Sequence, residues 1–438
     1  MRISIFGLGY VGSVSAACLA ELGHTVIGVE PNEAKVDLMN RGVSPVVEAG
    51  LPERLQQLTA TGALRATSNW DEAVQETDMA LVCVGTPSLP NGGIDLRYVI
   101  RAASHIGSAL AKKSDYFRVV IRSTVLPGTI EESVIPVLEE ASGKLAGKDF
   151  GVCMNPEFLR EGTAIEDFYH PPKSVIGEFD SRSGDGLADI YKVLPGEVRR
   201  VPLRVAEMVK YADNTFHALK VVFGNEIGSV CKAMGIDSHR VMEIFCLDTK
   251  LNLSPYYLKP GYSFGGSCLP KDLRALNYIA RSHDVETPTL SSILPSNRQH
   301  FQSVVHELLK YKGKRLGFLG LSFKSGTDDL RESPLVELIE TVIGKGFEVY
   351  VFDPYVSLGR LIGANKEFIE KEIPHISKLM RGSAEELLEH ADVIIVGHNS
   401  KEVQSVLANV SPQHVVLDLV RARKNAADGP GQYWGICW

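Results

Sequence analysis

Short apolar runs alternate with amphipathic helical patterns through the first half of the chain. Such runs, when each ends in a glycine or polar turn, are typical of buried strands, and helices between them favour parallel strand order. We therefore predict an α/β fold with a mostly parallel, doubly wound sheet. The predicted strands are residues 2–6, 25–30, 79–85, 119–123, 150–154 and 174–177.

The pattern changes near Leu203, where long helices begin and continue without a strand signal to about Arg315. Strand, glycine turn and helix then return, with Ser333 as the predicted N-cap and Pro334 as the first helical residue. This repetition predicts a second Rossmann-like domain. The predicted domains are residues 1–202, a central long-helix region at 203–300, and 301–438.

Residues 179–186 are polar and contain two glycines, so we expect a surface loop there.

Composition narrows the class of function. The 438 residues are 44% hydrophobic and 23% charged, as in ordinary globular proteins, and the net charge is −7. Nucleic-acid binding depends on clustered cations, so we predict no nucleic-acid partner. We also predict no membrane contact, because no stretch approaches the roughly 18 apolar residues of a membrane span. No signal-peptide pattern opens the chain.

The seven cysteines include no CxxC pair, and the twelve histidines include no HExxH motif. We therefore predict no metal site and no disulfide framework, and we expect the reducing cytoplasm as the compartment.

The fingerprint GLGYVG occupies residues 7–12, between the first strand and an amphipathic helix. Glycines at Gly7, Gly9 and Gly12 permit a tight turn and close approach to a pyrophosphate, which rests on the helix N-terminus. Glu30, at the end of the second strand, is placed to bond ribose hydroxyls and to repel a 2′-phosphate. This context predicts NAD as the cofactor. The alternative is a glycine-rich turn with an exposed Glu30.

A polar stripe lies on the helix that follows Leu203. Its members fall within about an 80° arc of helix, so all of them can face one ligand. The alternative is a solvated polar face. The members are Lys210, Asn214, His217 and Asn225.

Cys268 stands out among the cysteines because it lies in the turn GGSCLPKD, at residues 265–272, just before a predicted helix at 271–282. A helix N-terminus and the neighbouring Lys271 lower a thiol pKa and favour the thiolate. The alternative is a buried structural cysteine. A reactive thiol has a use beside NAD: it captures an aldehyde as a thiohemiacetal, which is oxidised to a thioester and hydrolysed. The pattern therefore favours a four-electron oxidation that consumes two NAD.

The sequence resembles the nucleotide-sugar 6-dehydrogenases, which include UDP-glucose and GDP-mannose dehydrogenases. The resemblance spans nearly the whole chain and rests on motifs in a fixed order. They are GLGYVG (7–12), VGTP (84–87), RSTVLPGT (122–129), NPEFLREGTA (155–164), GGSCLPKD (265–272) and SFKSGTDDLRESP (322–334). Within the family, residues 250–272, residues 363–377 and the ending GICW favour GDP-mannose as the substrate, with UDP-glucose as the alternative.

The resemblance implies a role for each matching residue. Cys268 is the implied nucleophile. Lys210 and Asp272 hold a water network that takes the hydroxyl proton, Asn214 bonds the same oxygen, and Glu157 and Thr124 position the hydrolytic water. The implied NAD contacts are Tyr10, Val11, Glu30, Lys35, Thr86, Thr124, Lys271 and Arg331. The implied contacts of the small-molecule nucleotide sugar are Glu161, Lys210, Asn214, His217, Asn225, Tyr256, Tyr257, Lys259, Tyr262, Gly265 and Lys324.

The resemblance also implies a homodimer or higher homo-oligomer built through the central helices. Part of residues 256–262 would reach the active site of the partner.

Two positions depart from the family pattern. Glu30 stands where Asp is frequent, which shifts the ribose geometry and keeps the NAD preference. Lys259 stands where Arg is usual, and a lysine is a point charge without the bidentate fork of arginine.

Two other functions compete with this interpretation. A two-electron hydroxy-acid dehydrogenase also pairs GxGxxG with a helical Lys and Asn four residues apart, but it needs neither Cys268 nor a second Rossmann-like domain. A non-catalytic NAD-binding module explains the fingerprint alone and leaves the other polar residues without a use.

Overall fold

The structure is a computed structural model that describes residues 1–233, 235–249, 259–282, 284, 287–356, 373, 375–423 and 429–438. The chain forms two compact units. The first comprises Met1–Asp213 and Arg274–His283, and the second comprises Asn214–Leu273 and Asp284–Trp438. The three domain boundaries proposed from the sequence remain a prediction.

Eight strands form the sheet of the first unit. They are β1 (Arg2–Phe6), β2 (Thr25–Val29), β3 (Leu64–Thr67), β4 (Met79–Val82), β5 (Phe117–Ile121), β6 (Phe150–Met154), β7 (Lys173–Glu178) and β8 (Glu197–Pro202). Their spatial order is β3-β2-β1-β4-β5-β6-β7-β8, and among these strands β6 and β7 alone pair antiparallel. The predicted mostly parallel sheet is confirmed. Its strand order reverses between β1 and β4, which is where open α/β sheets bind ligands.

Apolar clusters cover both faces of this sheet because successive side chains of a strand point to opposite faces. Ile3 and Ile5 belong to one cluster, and Phe6 and Val82 belong to the other. Helices lie between most of the strands. They are α1 (Tyr10–Glu21), α2 (Glu33–Asn40), α3 (Leu51–Ala60), α4 (Trp70–Glu76), α5 (Arg97–Leu110), a π-helical turn (Ile130–Val134) that continues into α6 (Ile135–Ser142), α7 (Ala164–Tyr169) and α8 (Ser181–Tyr191).

Long helices follow from Leu203, as predicted. They are α9 (Leu203–Ala233), α10 (Ser238–Phe245), α11 (Leu269–Ser282) and α12 (Pro288–Leu309). Within the part of the chain that the structure describes, no helix combines the length and the apolarity needed to cross a bilayer.

The second unit holds a five-stranded sheet that is parallel throughout its described pairs. Its strands are β9 (Leu316–Leu319), β10 (Val349–Phe352), β11 (Val393–Val396), β12 (Val415–Asp418) and β13 (Gln432–Gly435), in the order β10-β9-β11-β12-β13. The predicted second Rossmann-like domain is therefore confirmed. The described helices of this part are α13 (Pro334–Gly344), α14 (Ile376–Leu379), α15 (Ala384–His390) and α16 (Lys401–Ala408). As predicted, Ser333 caps α13, and its side chain accepts a hydrogen bond from the Val336 amide.

The surface loop expected at residues 179–186 is wrong, because α8 begins at Ser181. Asp180 caps this helix, and its side chain accepts a hydrogen bond from the Ser183 amide. Gly184 and Gly186 are buried. A Cβ at Gly184 would overlap the Glu178 carboxylate, so this glycine permits close packing and does not mark a loop.

Candidate active site

Residues 7–12, which we call the dinucleotide turn, contain three glycines, and a glycine stands at each position for a different structural reason. Gly7 adopts φ +95°, a region that favours glycine, and its amide donates to the Val29 carbonyl at 2.8 Å. A Cβ at Gly12 would overlap the carbonyl oxygen of Gly7. At Gly9, the N-cap of α1, a Cβ would meet no atom within 4 Å. The turn therefore leaves open space beside a helix N-terminus, and these residues fit a dinucleotide pyrophosphate.

Glu30 follows β2 and is only 8% exposed, so the alternative of an exposed glutamate is wrong. One carboxylate oxygen accepts the Leu8 amide at 3.0 Å, and the other accepts the Asn32 amide at 3.3 Å. Lys35 Nζ lies 3.8 Å from the first of these oxygens. Glu30 thus holds the dinucleotide turn in shape, and Lys35 lies beside it.

Parallel strands bring the other predicted residues of the first unit to one edge of its sheet. Thr86, which follows β4, is buried, and Thr124, which follows β5, is half-buried. Ser123 supports this edge because its hydroxyl donates to the Val84 carbonyl at 2.7 Å. Glu157 follows β6.

Glu157 and Lys210 form a buried ion pair. Lys210 Nζ lies 2.9 Å from Glu157 Oε1 and donates to the Glu157 carbonyl oxygen at 2.6 Å. Burial by itself raises the pKa of the Glu157 carboxyl, but the charge and hydrogen bond of Lys210, together with Arg122 and the Leu159 amide, hold that pKa below its ordinary value. Glu157 is therefore ionised at neutral pH.

Two buried groups at this edge were not identified from the sequence. Arg122 is 5% exposed, and its guanidinium donates to Asn155 and, at 3.0 Å, to the Tyr191 hydroxyl. Arg122 and Asn155 lie in the quoted motifs RSTVLPGT and NPEFLREGTA, but nothing in those motifs shows that the two side chains meet.

The second is Glu207, which is fully buried and accepts the Gly128 and Ile130 amides at 2.7 and 3.0 Å. Burial raises the pKa of the Glu207 carboxyl to about 7. The only sequence signal was its position on α9, three residues before Lys210.

In the second unit, Cys268 directly precedes α11, as predicted, and its side chain is exposed. The alternative of a buried structural cysteine is therefore wrong. The Cys268 carbonyl accepts the Asp272 amide at 2.9 Å, which is the first hydrogen bond of the helix, so Cys268 is its N-cap residue. The electropositive helix N-terminus favours a thiolate there.

The turn before Cys268 is fixed by close backbone packing within the same unit. A Cβ at Gly265 would overlap the Glu332 carbonyl oxygen, and the Gly266 amide donates to that oxygen at 3.0 Å. Gly266 has φ +82° and lies against the Phe323 ring.

Asp272, in the first turn of α11, and Asn214 of α9 lie together. Asp272 is 1% exposed, and one of its carboxylate oxygens accepts a hydrogen bond from the Asn214 amide group. Lys271 Nζ lies 3.1 Å from the other oxygen. The structure thus brings three of the predicted residues into one polar cluster.

Three members of the polar stripe on α9 are buried and the fourth, His217, is half-buried, so the alternative of a solvated face is wrong. Lys210, Asn214 and Asn225 are 5%, 8% and 2% exposed. Asn225 binds the backbone of the strap at residues 259–265: its Oδ1 accepts the Gly261 amide at 2.9 Å, and its amide group donates to the Tyr262 carbonyl at 3.3 Å.

The remaining substrate residues lie on several elements. Glu161 lies in the loop between β6 and α7, His217 lies on α9, and the other described ones lie in the strap and in the loop after β9. His217, Tyr262, Gly265 and Lys324 are half-buried, and Lys259 is exposed. Tyr256 and Tyr257 lie outside the described residues.

Arg331, a predicted NAD contact, forms a bidentate pair with Asp329, with Nε–Oδ1 and Nη2–Oδ2 distances of 2.9 and 2.5 Å. The ligand roles of all these residues stay predictions.

Comparison with known proteins gives consistent matches along the chain. Three domains of the UDP-glucose/GDP-mannose dehydrogenase family match: the NAD binding domain at residues 1–195, the central domain at 204–299 and the UDP binding domain at 317–425. A GDP-mannose 6-dehydrogenase of Pseudomonas syringae pv. syringae is 51% identical over 100% of both chains.

Two solved structures are also similar. The ternary complex of GDP-mannose dehydrogenase from Pseudomonas aeruginosa is 50% identical, covers 100% of both chains and has a TM-score of 0.58. A UDP-glucose dehydrogenase from the hyperthermophilic archaeon Pyrobaculum islandicum is 35% identical, covers 100% of this chain and 98% of that one, and has a TM-score of 0.90. The match of residues 1–195 confirms NAD as the cofactor. The chain belongs to the UDP-glucose/GDP-mannose dehydrogenase family.

Proposed function

We propose that this protein oxidises GDP-mannose at C6 to GDP-mannuronate with two NAD. The observation that carries the chemistry is the exposed Cys268 thiol at the N-terminus of α11, in a chain that also holds a dinucleotide turn. The substrate follows from the relatives: identity is 51% to a GDP-mannose 6-dehydrogenase and 35% to a UDP-glucose dehydrogenase.

The reaction balances with one water. One hydroxymethyl group, one water and two NAD give one carboxylate, two NADH and three protons. NAD, when bound, accepts a hydride from the C6 carbon in each oxidation.

Cys268 acts between the two oxidations. Its thiolate adds to the aldehyde carbon, and the thiohemiacetal loses its hydroxyl proton and a hydride from C6 to become a thioester. Water then breaks the C–S bond, and the thiol leaves with the proton. An exposed thiol at a helix N-terminus is suited to this cycle because it is accessible and its thiolate is favoured.

Polar groups around the reaction have distinct roles. Lys210 and Asp272 hold the water network that takes the C6 hydroxyl proton, and Asn214 bonds the C6 oxygen. Glu157 is ionised, as its lowered pKa requires, so it accepts a proton from the hydrolytic water, which Thr124 orients.

Other side chains hold the ligands. Gly7, Gly9, Tyr10, Val11, Gly12, Glu30, Lys35, Thr86, Lys271 and Arg331 hold NAD. Glu161, His217, Asn225, Tyr256, Tyr257, Lys259, Tyr262, Gly265 and Lys324 hold the nucleotide sugar.

The enzyme acts as a homodimer or higher homo-oligomer in the cytoplasm. Support for self-association comes from exposed apolar side chains on the central helices: Phe216 and Phe223 of α9, Ile244 of α10 and the neighbouring Leu247 are 41%, 40%, 70% and 79% exposed. Exposed apolar patches of this kind mark protein interfaces. Light scattering after size exclusion measures the oligomer mass, and a monomer at micromolar concentration contradicts this part.

A substrate panel tests the proposed function. Incubation with NAD and GDP-mannose, UDP-glucose or a 2-hydroxy acid, followed by absorbance at the NADH band, should give turnover with GDP-mannose. Preference for UDP-glucose or the hydroxy acid would overturn the substrate. Cys268→Ser should abolish carboxylate formation, whereas Cys246→Ser, a half-buried control, should retain it.

A further inference from the structure

The segment at residues 157–164, which we call the carboxylate loop, follows β6, ends at the first residue of α7 and carries Glu157 and Glu161. Lys210 binds the start of this loop through Glu157. The other end is held by Glu48, a residue that the proposed mechanism does not use. Glu48 Oε1 accepts the Ala164 amide at 2.8 Å, and Glu48 Oε2 accepts the Gly162 amide at 2.7 Å.

Glu48 is held in place by its burial and by a backbone hydrogen bond to α3. It is 5% exposed and lies in the segment between α2 and α3. Its carbonyl accepts the amide of Leu51, the first residue of α3, at 3.2 Å, and the Leu51 side chain is fully buried. The carboxylate therefore offers a fixed pair of acceptors to the loop.

The third contact of Glu48 is Tyr10, the first residue of α1 and a member of the dinucleotide turn. The Tyr10 hydroxyl donates to Glu48 Oε2 and accepts the Gly162 amide at 2.8 Å. Burial and the neighbouring Glu48 raise the pKa of the Tyr10 phenol, which therefore stays protonated and keeps donating.

From these contacts we propose that Glu48 is a positioning residue that joins the dinucleotide turn to the carboxylate loop and so fixes the placement of Glu157 and Glu161. This inference rests on the proposed function, in which both glutamates act on the sugar or its hydrolytic water. All of the groups that form these contacts belong to the first unit.

Both carboxylate oxygens of Glu48 must accept hydrogen bonds. Three donors converge on Glu48, namely the Gly162 and Ala164 amides and the Tyr10 hydroxyl. A glutamine has one acceptor oxygen and one donor group, so Glu48→Gln places an NH₂ against at least one of these donors. The loop then shifts while the apolar packing around it is retained.

Rapid mixing of the full-length protein with NAD and GDP-mannose tests the proposal. In Glu48→Gln, misplacement of Glu157 slows hydrolysis more than oxidation, so kcat falls by about 10- to 100-fold. NADH then appears in a burst, and intact-mass spectrometry of the quenched sample shows an acyl group on Cys268. Tyr10→Phe removes one member of the network and gives a several-fold slower hydrolysis. A purely stabilising contact would lower the melting temperature without producing the burst.

Glu53→Gln, an exposed position on α3, is the matched control and behaves like the wild type. If Glu48→Gln does not fold, Tyr10→Phe decides. The inference is overturned if a folded Glu48→Gln turns over at the wild-type rate with neither a burst nor an adduct. It is also overturned if hydrolysis in Tyr10→Phe is unchanged. A wild type that forms no carboxylate from GDP-mannose overturns the proposed function instead.

Discussion

The first turns of the two sheets make the same backbone hydrogen bonds, but the residues that follow these turns differ. In the first unit, the Gly7 amide donates to the end of β2 and the Leu8 amide donates to Glu30. In the second unit, the Gly320 amide donates to the end of β10 at 2.9 Å and the Leu321 amide donates to Asp353 at 2.8 Å. Both glycines have positive φ, +95° and +113°.

The two turns differ in the residues that come after the glycine. The first helix begins at Tyr10, whereas α13 begins only at Pro334, after a loop that carries Lys324 and Arg331. A Cβ at Gly320 would meet the His398 ring, and His398 Nε2 bonds the Ser322 carbonyl at 2.8 Å, so a side chain covers the second turn where the first is open at Gly9. We therefore expect the first turn to bind an anion through backbone amides and the second to bind one through the side chains of Lys324 and Arg331.

The carboxyl edges also differ in their buried pairs. Lys210 and Glu157 lie at the first, and His398 Nδ1 lies 3.6 Å from Asp353 at the second. Removing one partner of a buried pair leaves a charge without compensation. Lys210→Met should therefore have the largest effect, a loss of about 3–4 kcal/mol in the free energy of unfolding at pH 8.

The loss should depend on pH. In the wild type the pKa of Glu157 is below its ordinary value of 4.5, so its ionised form contributes stability above that pH and loses it as the pH falls through the folded pKa. In Lys210→Met only Arg122 and the Leu159 amide still oppose burial, so the pKa of Glu157 should rise and the variant should lose more at pH 8 than at pH 5. Urea denaturation at both pH values measures this, with the exposed Lys112→Met as control. An equal loss at both pH values would contradict the account.

Gly12→Ala should break the first turn alone. Its Cβ overlaps the Gly7 carbonyl, so NAD affinity should fall by about 100-fold, or roughly 2.8 kcal/mol, together with stability. Gly9→Ala meets no atom of the protein, and it should lower NAD affinity while the melting temperature is unchanged. Calorimetric titration and thermal denaturation separate the two, and a stable, NAD-binding Gly12→Ala would refute this account of the turn.

Asp353→Ala should disrupt the second turn and lower the free energy of unfolding. Its carboxylate accepts the Leu321, Ser322 and Tyr355 amides and is 3% exposed, so the loss should be about 2 kcal/mol. NAD affinity should not change. Glu30→Ala should do the reverse, with weaker NAD binding as the main result. Identical NAD affinities in these two variants would contradict the proposal that the first turn binds NAD and the second does not.

Lys324→Ala should give the smallest effect, a loss of about tenfold in affinity for GDP-mannose, since one cation near a phosphate contributes roughly 1.4 kcal/mol. Lys345→Ala, exposed at the end of α13, is the control. Titration of each variant with GDP-mannose checks the difference, and equal affinities would exclude Lys324 as a ligand.

Local patterns predicted much of this fold because local chemistry determines it. The dinucleotide turn, the Ser333 cap and the parallel strands were all predicted, since each depends on neighbouring residues or on short apolar runs. The edge strand β8 was missed because its residues are mostly exposed and carry Glu197, Arg199 and Arg200. The helix α8 was missed because two packing glycines resemble loop glycines.

The site shows the same limit. Sequence spacing placed Lys210 and Asn214 on one helix and Cys268 before another, as found. It did not predict that Lys210 pairs with Glu157 or that Tyr10 meets Glu48, because 53 and 38 residues separate the partners. Contacts between distant residues depend on how strands are ordered in the sheet, which no local pattern specifies.

The most direct measurement counts NADH against the sugar consumed. With limiting GDP-mannose and excess NAD, a thiol that carries the aldehyde to a carboxylate yields two NADH and one GDP-mannuronate for every GDP-mannose. One NADH per sugar, with a free aldehyde as the product, would contradict the role given to Cys268.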